Sequence, residues 1–303
     1  MRILMPVDGS SCSRSAVAFM ASRVGLLHEP CEVALINVQA PVPLRAAQAV
    51  GREIVAAHHA AEAAQLFDPA ISALQSAGAQ VSARYEVGAI RRELVHAVQT
   101  ETADLIVMST HGETGLPHLL FGSVTETLAA SCHKPLLILR EGAPTDGRSL
   151  QVGLALDGSL HGVAVARFLA AHADLLGPES TIALIHVAPV LSKMVVHGWR
   201  DREVATGIPP EQVAVMHEAS FKAALEPAKA ILQAAGLSTK EVRLVGGDPG
   251  TMIAAHAEAD QLDLLAMGSV GFGTHRFARI GSVATRVASR SSAALLLVRE
   301  SEA

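Results

Sequence analysis

Residues 3–11 read ILMPVDGSS, and residues 152–160 read VGLALDGSL. The second stretch restates the first, so that Asp8 stands opposite Asp157 and Ser10 opposite Ser159. The match extends outward at the same offset, since ALINVQAPV at 34–42 returns as ALIHVAPVL at 183–191 and sets Val38 against Val187. Farther on, DLIVMSTHG at 104–112 returns as DLLAMGSVG at 263–271. FGSVTETLA at 121–129 returns as IGSVATRVA at 280–288, and PLLILRE at 135–141 as ALLLVRE at 294–300, all at an offset larger by ten. Self-similarity at a fixed spacing marks a duplicated structural unit. The chain is expected to be two copies of one domain, 1–142 and 151–303. The linker, 143–150, lies in the Pro- and Gly-bearing stretch EGAPTDGRSL. The ten extra residues fall between Val187 and Gly247, and 193–213, around the single Trp199, is where they are expected as a surface excursion, a lid or an interface.

Within each copy, short apolar runs alternate with longer helical patterns. RILMPV, VALINV, a weaker VSARYEV, DLIVMS and PLLILR are strand-sized and lack clean polar alternation, as parallel strands covered on both faces do. Between them, 13–27 carries apolar residues three and four apart, and the alanine-rich 49–78 reads as one long helix ending at Gly78. Strict alternation predicts an α/β fold: two repeated open parallel sheets of about five strands each, with helices on both faces. Ligands of such sheets sit at the carboxyl ends of the strands, where the strand order reverses.

Composition narrows the function classes. Of 303 residues, 50% are hydrophobic, only 17% are charged and the formal net charge is −5. With no Lys/Arg stripe, a nucleic-acid partner is not expected. No run of eighteen apolar residues occurs, and Pro6 and Asp8 interrupt the opening apolar run, so the expectation is a soluble, cytoplasmic chain without a membrane partner. Three cysteines without paired spacing read as idle thiols.

The loops after the strands hold the candidate site. Asp8-Gly9-Ser10 brings a carboxylate able to accept hydrogen bonds from a base or sugar, and Val38 is an apolar cover for an adenine ring. After Met108, the run MSTHGETGLPHLLFGSVTE lets bare backbone approach an anion, and Gly122-Ser123 opens a helix whose N-terminus favours phosphate. Two plainer readings stand beside this one: Ser123-Val124-Thr125-Glu126 is a capping box, and DGS after a strand is an ordinary turn. Neither GxxxxGK[ST] nor a GxGxxG after the first strand is present.

On these residues both halves resemble universal stress protein domains, whose nucleotide-binding members carry Gly, two residues, Gly, nine residues, then Gly-Ser or Gly-Thr. The second half has Gly268, Gly271 and Gly281-Ser282; the first has Gly112 and Gly122-Ser123, with Ser109 in place of the first Gly. The resemblance implies a Rossmann-like, adenine nucleotide alpha hydrolase-like fold and a pocket for ATP, with magnesium as a possible companion. It carries over onto Pro6, Val7, Asp8, Val38, Met108, Ser109, His111, Gly112, Gly122, Ser123, Val124 and Thr125 in the first half. In the second it reaches Asp157, Val187, Met267, Gly268, Gly271, Gly281, Ser282 and Val283. His111 and Thr125 add polar partners that Val270 and Ala284 do not, whereas Glu113 opposes a phosphate and Arg276 and Arg279 favour one; the first half is the preferred site.

Other chemistry is weaker. His58, His59 and Glu62 bring too few converging ligands for a metal and read as a solvated helix face. Cys132 and His133 point in different directions, and GxSxG is missing. The expected function is a nucleotide-binding stress-response regulatory module with little or no ATP hydrolysis and an unknown protein partner. The alternative is an interaction scaffold with degenerate pockets. Either predicts pairing of the apolar last strands, between halves or in a homodimer.

Overall fold

The computed structural model describes residues 1–110, 122–190, 195–196, 204–205, 209–269 and 280–299. The first half runs β1 (Arg2–Pro6), α1 (Ser11–Val24), β2 (Glu32–Gln39), α2 (Leu44–Val50), α3 (Arg52–Ser76) and β3 (Gln80–Val87). It continues with α4 (Ile90–Thr100), β4 (Leu105–Ser109), α5 (Ser123–Ser131) and β5 (Leu136–Leu139). The second half restates this as β6 (Val152–Ala155), α6 (Leu160–Ala171) and β7 (Thr181–Ala188). A two-residue ladder of β8 (Val195–Val196) and β9 (Val204–Ala205) then stands where the first half has α2. After it come α7 (Pro210–Ala234), β10 (Ser238–Val245), α8 (Pro249–Ala259), β11 (Leu264–Gly268), α9 (Ser282–Arg290) and β12 (Ala294–Val298).

Ten strands form one sheet in the order β10-β7-β6-β11-β12-β5-β4-β1-β2-β3. Each half contributes the same order, and within this sheet every pairing inside a half is parallel. The single antiparallel pairing in this sheet joins the halves, with Leu295 opposite Ile138, Leu296 opposite Leu137 and Leu297 opposite Leu136. Two all-apolar strands of this kind would present open edges if left alone, and each covers the other. Arg140, just past β5, reinforces the seam by donating from Nε to Ala293 O at 3.1 Å, with a second bond from Nη2 to Ala288 O near the end of α9.

Strand side chains alternate between two buried layers. In β4, Leu105 and Val107 join the layer under α1 and α3, while Ile106 and Met108 join the one under α4 and α5; β11 repeats this with Leu264 and Ala266 against Leu265 and Met267. Both layers run through the seam, which explains why these strands lack the polar alternation of a half-exposed sheet.

Two details depart from the sequence reading. The helix expected over 49–78 is broken: Gly51, at φ 87°, ends α2 and starts α3. A left-handed residue cannot continue a right-handed helix, and glycine adopts it without a Cβ clash. The insertion is also resolved further. Thr181 follows Glu32 by 149 residues, Pro210 follows Arg52 by 158, and Pro249 follows Ile90 by 159. Nine of the ten extra residues therefore precede α7, and the tenth enters between β10 and α8. Trp199 lies outside the described residues. The long helices keep their correspondence, Pro69 within α3 matching Pro227 within α7.

Candidate functional site

The strand order reverses between β1 and β4, and a cleft opens at their carboxyl ends. Leaving β1, the chain turns through Gly9 at φ 77°, where an added Cβ would fall 2.3 Å from Leu66 Cδ2. The turn is locally sealed: Asp8 Oδ1 accepts from Ser10 N at 3.1 Å and from Ser10 Oγ at 2.7 Å. Ser10 Oγ in turn accepts from Ser13 N at 3.1 Å as the cap of α1. DGS is thus both turn and cap, and one Asp8 oxygen is held by it. In the second half Asp157 Oδ1 accepts from Ser159 N at 2.9 Å.

At the start of α5 the capping box does not form. Gly122 is the cap residue and no side chain caps the helix, so Ser123 is the first helical residue rather than the cap. The physical reason is a backbone bond from Gly122 N to Thr110 O at 2.8 Å, which fixes the helix start one residue earlier; Gly281 N to Ser269 O, also 2.8 Å, does the same for α9. The Ser123 hydroxyl is left at the exposed mouth. Thr125, 2% exposed, ties the helix back to β4, its Oγ1 lying 3.2 Å from both Ser109 O and Thr110 O. One hydroxyl proton serves one of these carbonyls at a time.

Around these termini lies a first-half cleft of about 820 Å³. Every described residue assigned to the first half lines it: Pro6, Val7, Asp8, Val38, Met108, Ser109, Gly122, Ser123, Val124 and Thr125. The corresponding second-half cleft is about 270 Å³ and gathers Asp157, Val187, Met267, Gly268, Gly281, Ser282 and Val283. His111, Gly112, Glu113, Val270, Gly271, Arg276 and Arg279 lie outside the described residues.

Several lining residues carried no motif. Asn37 and Gln39 point to the side of β2 opposite Val38, and His59 on α3 meets Gln39. His59 was expected on a solvated face, yet it is 5% exposed. Its Nδ1 bonds Gln39 Oε1, and Gln39 Nε2 donates to His59 O at 3.0 Å. The signal available was only the polar pair Asn37 and Gln39 inside an otherwise apolar strand. His58 Nε2 sits 3.4 Å from Glu62 Oε1. Among the described residues no three metal-ligating side chains cluster. Cys31 and Cys132 are buried and burial raises both thiols above the ordinary range, away from the reactive thiolate. No described helix is long and apolar enough to cross a membrane.

Comparison with known proteins agrees with this architecture. The sequence profile of the universal stress protein family matches residues 1–140 and again 150–299. A universal stress protein of Methanocaldococcus jannaschii is 36% identical over 67 residues, which cover 22% of this chain and 41% of that protein. A second from the same organism is 28% identical over 142 residues, covering 46% and 82%. The crystal structure of a universal stress protein from Archaeoglobus fulgidus superposes over 99% of this chain and 98% of its own, with a TM-score of 0.67 at 18% identity. Matched twice along nearly its whole length, and folded as two copies of one open sheet joined edge to edge, the chain belongs to the universal stress protein family.

Proposed function

We propose that the first-half cleft binds adenine nucleotide, ATP in the first place, and that the protein acts as a regulatory module whose surface responds to occupancy. One observation carries this reading: ten residues from β1, β2, β4 and α5 converge on a single 820 Å³ cleft at the switch point of the sheet. That volume lies within the ~300–1,000 Å³ usual for ligand sites. Val38 and Met108 supply apolar walls for a base, and Asp8 supplies an acceptor at the rim. The first turn of α5 has no side-chain cap, so its N–H groups and dipole are available to phosphate. Magnesium would accompany a triphosphate. The hold of Ser10 on Asp8 favours a positioning role for that carboxylate over a hydrolytic base. The second half, at about 270 Å³ and with Ala284 at the Thr125 position, is the weaker site.

Calorimetric titration with ATP tests the proposal on the wild type and on Gly122→Val. Gly122 sits at φ −60°, ψ 153°, backbone that valine adopts readily, so the substitution obstructs the cleft without straining the chain. Loss of at least about tenfold in affinity, roughly one charge-assisted hydrogen bond, with an unchanged circular dichroism spectrum is the expected result. A wild type that takes up no ATP would leave the interaction scaffold as the better account.

A further inference from the structure

The sheet ends at β3, and that edge lies open. Six of the eight residues of β3 are exposed, among them Tyr85, the chain's single tyrosine, at 37% and Val87 at 44%. Tyr85 and Val87 share the face of Val81, which packs into the layer under α3. At their level, however, α3 is engaged with β2, where His59 bonds Gln39, the residue beside Val87. On the other face Arg84 and Glu86 stand partly exposed, with Nε and Oε1 3.6 Å apart, and Arg84 Nη1 reaches Glu101 Oε1 at 2.5 Å.

The backbone of this edge is unspent as well. Gln80 N donates to Cys31 O at 2.8 Å and Gly88 N to Gln39 O at 2.9 Å, so the even-numbered positions between them turn N–H and C=O toward β2. Val81, Ala83, Tyr85 and Val87 turn theirs outward, where no described strand lies. Such an edge is a template for another strand, and inside this chain two open edges already cover each other by the antiparallel pairing of β5 with β12. The opposite end of the sheet is guarded by charge. There β10 carries Lys240, Glu241 and Arg243, ion-paired to Asp260, Lys229 and Glu218.

The sequence of β3 complements itself. About a two-fold axis at Tyr85, an antiparallel pair sets Arg84 opposite Glu86 of the second copy and Ala83 opposite Val87. Tyr85 then exchanges both N–H···O bonds with its own copy, as its outward groups require. The two Arg–Glu pairs take the closer, non-hydrogen-bonded positions, where opposite charges stabilise the pairing. An axis at Arg84 or at Glu86 would set like charges against each other.

We propose that β3 is an interface at which a second copy of this chain pairs antiparallel about Tyr85, joining two ten-stranded sheets into one. The contact uses the same patch on both copies, so it closes at a dimer. It does not depend on nucleotide binding.

Sedimentation velocity of the full chain over a dilution series, with circular dichroism as the check on folding, tests the proposal. The wild type should show a monomer–dimer equilibrium with a Kd below about 100 μM. Arg84→Glu and Glu86→Arg, which each place like charges opposite one another twice, should weaken the dimer at least about fivefold. The double variant restores opposite charges and should return to within about twofold of the wild type. Tyr85→Pro removes two bonds across the axis without touching the ladder to β2, and should weaken the dimer at least about tenfold. Should Tyr85→Pro fail to fold, the charge variants decide. A wild type that stays monomeric, or that grows beyond a dimer, overturns the proposal. So do single charge variants that pair as well as the wild type, or a double variant that pairs no better than the singles.

Discussion

Ser123 separates two jobs that one hydroxyl seemed able to share. Read alone, Ser-Val-Thr-Glu is a capping box, but Gly122 takes the cap position because its N–H is committed to Thr110 across the loop. The local signal lost to a bond between residues twelve apart, since Thr110 lies just past the end of β4. Ser123→Ala is therefore expected to change stability by less than ~0.5 kcal/mol, as an exposed substitution without a cap to lose, in denaturant unfolding. Its ATP affinity should fall about tenfold. A stability loss near 1 kcal/mol, typical of a deleted cap, would contradict the assignment. His59 was misread for a related reason: its environment depends on Gln39, twenty residues away on another element. The start of α5 and of α9 at a Gly-Ser pair, by contrast, was legible because both copies repeat that pair.

Among the elements, α3 and α7 show what duplication preserves and what it releases. Both span 25 residues and keep a proline at the same place, yet Ala63 in one is Phe221 in the other. Strand and helix identities were readable from apolar period, since buried parallel strands have a composition of their own. The break between α2 and α3 was not, because an isolated glycine in a helical pattern signals a weak position without saying whether the backbone reverses there. Phe221 packs against His186 and beneath Arg243, whose guanidinium carbon lies 5.4 Å from the ring centre. Phe221→Ala is expected to cost about 3–5 kcal/mol in denaturant unfolding. A cost below ~1 kcal/mol, the scale of a surface change, would show that the ring is not packed in the core.

Across the whole molecule the halves are joined by more than the β5–β12 seam. Arg148 holds Asp263 through two bonds of 2.7 and 2.5 Å, the fork geometry that suits guanidinium and carboxylate. Arg23, 1% exposed, reaches from α1 to Arg148 O at 2.8 Å. At the surface, His28 Nδ1 meets Asp174 Oδ2 at 2.8 Å. The hydrogen bond that His28 donates to the Asp174 carboxylate raises the His28 pKa and lowers the Asp174 pKa. The signs differ. The His28 contribution is full below about pH 6.5, the free imidazole value, and fades as pH rises through its raised folded value. The Asp174 contribution is present above about pH 3.9 and is lost as pH falls through its depressed value. NMR titration of Asp174→Asn should return the His28 pKa toward the free value; an unmoved titration would deny this contact between the halves. That the last strands meet was foreseeable from two apolar edges, whereas these polar ties between distant segments left no periodic trace.

The account's central claim is that nucleotide occupies the first half. Denaturing the gently purified protein and counting adenine nucleotide per chain by mass analysis tests it most directly, on the wild type, Gly122→Val and Gly281→Val. The account predicts adenine nucleotide, chiefly one ATP per chain, in the wild type and in Gly281→Val, and its loss from Gly122→Val. An empty wild type that also fails to load with added ATP would contradict it, as would nucleotide retained by Gly122→Val and lost from Gly281→Val.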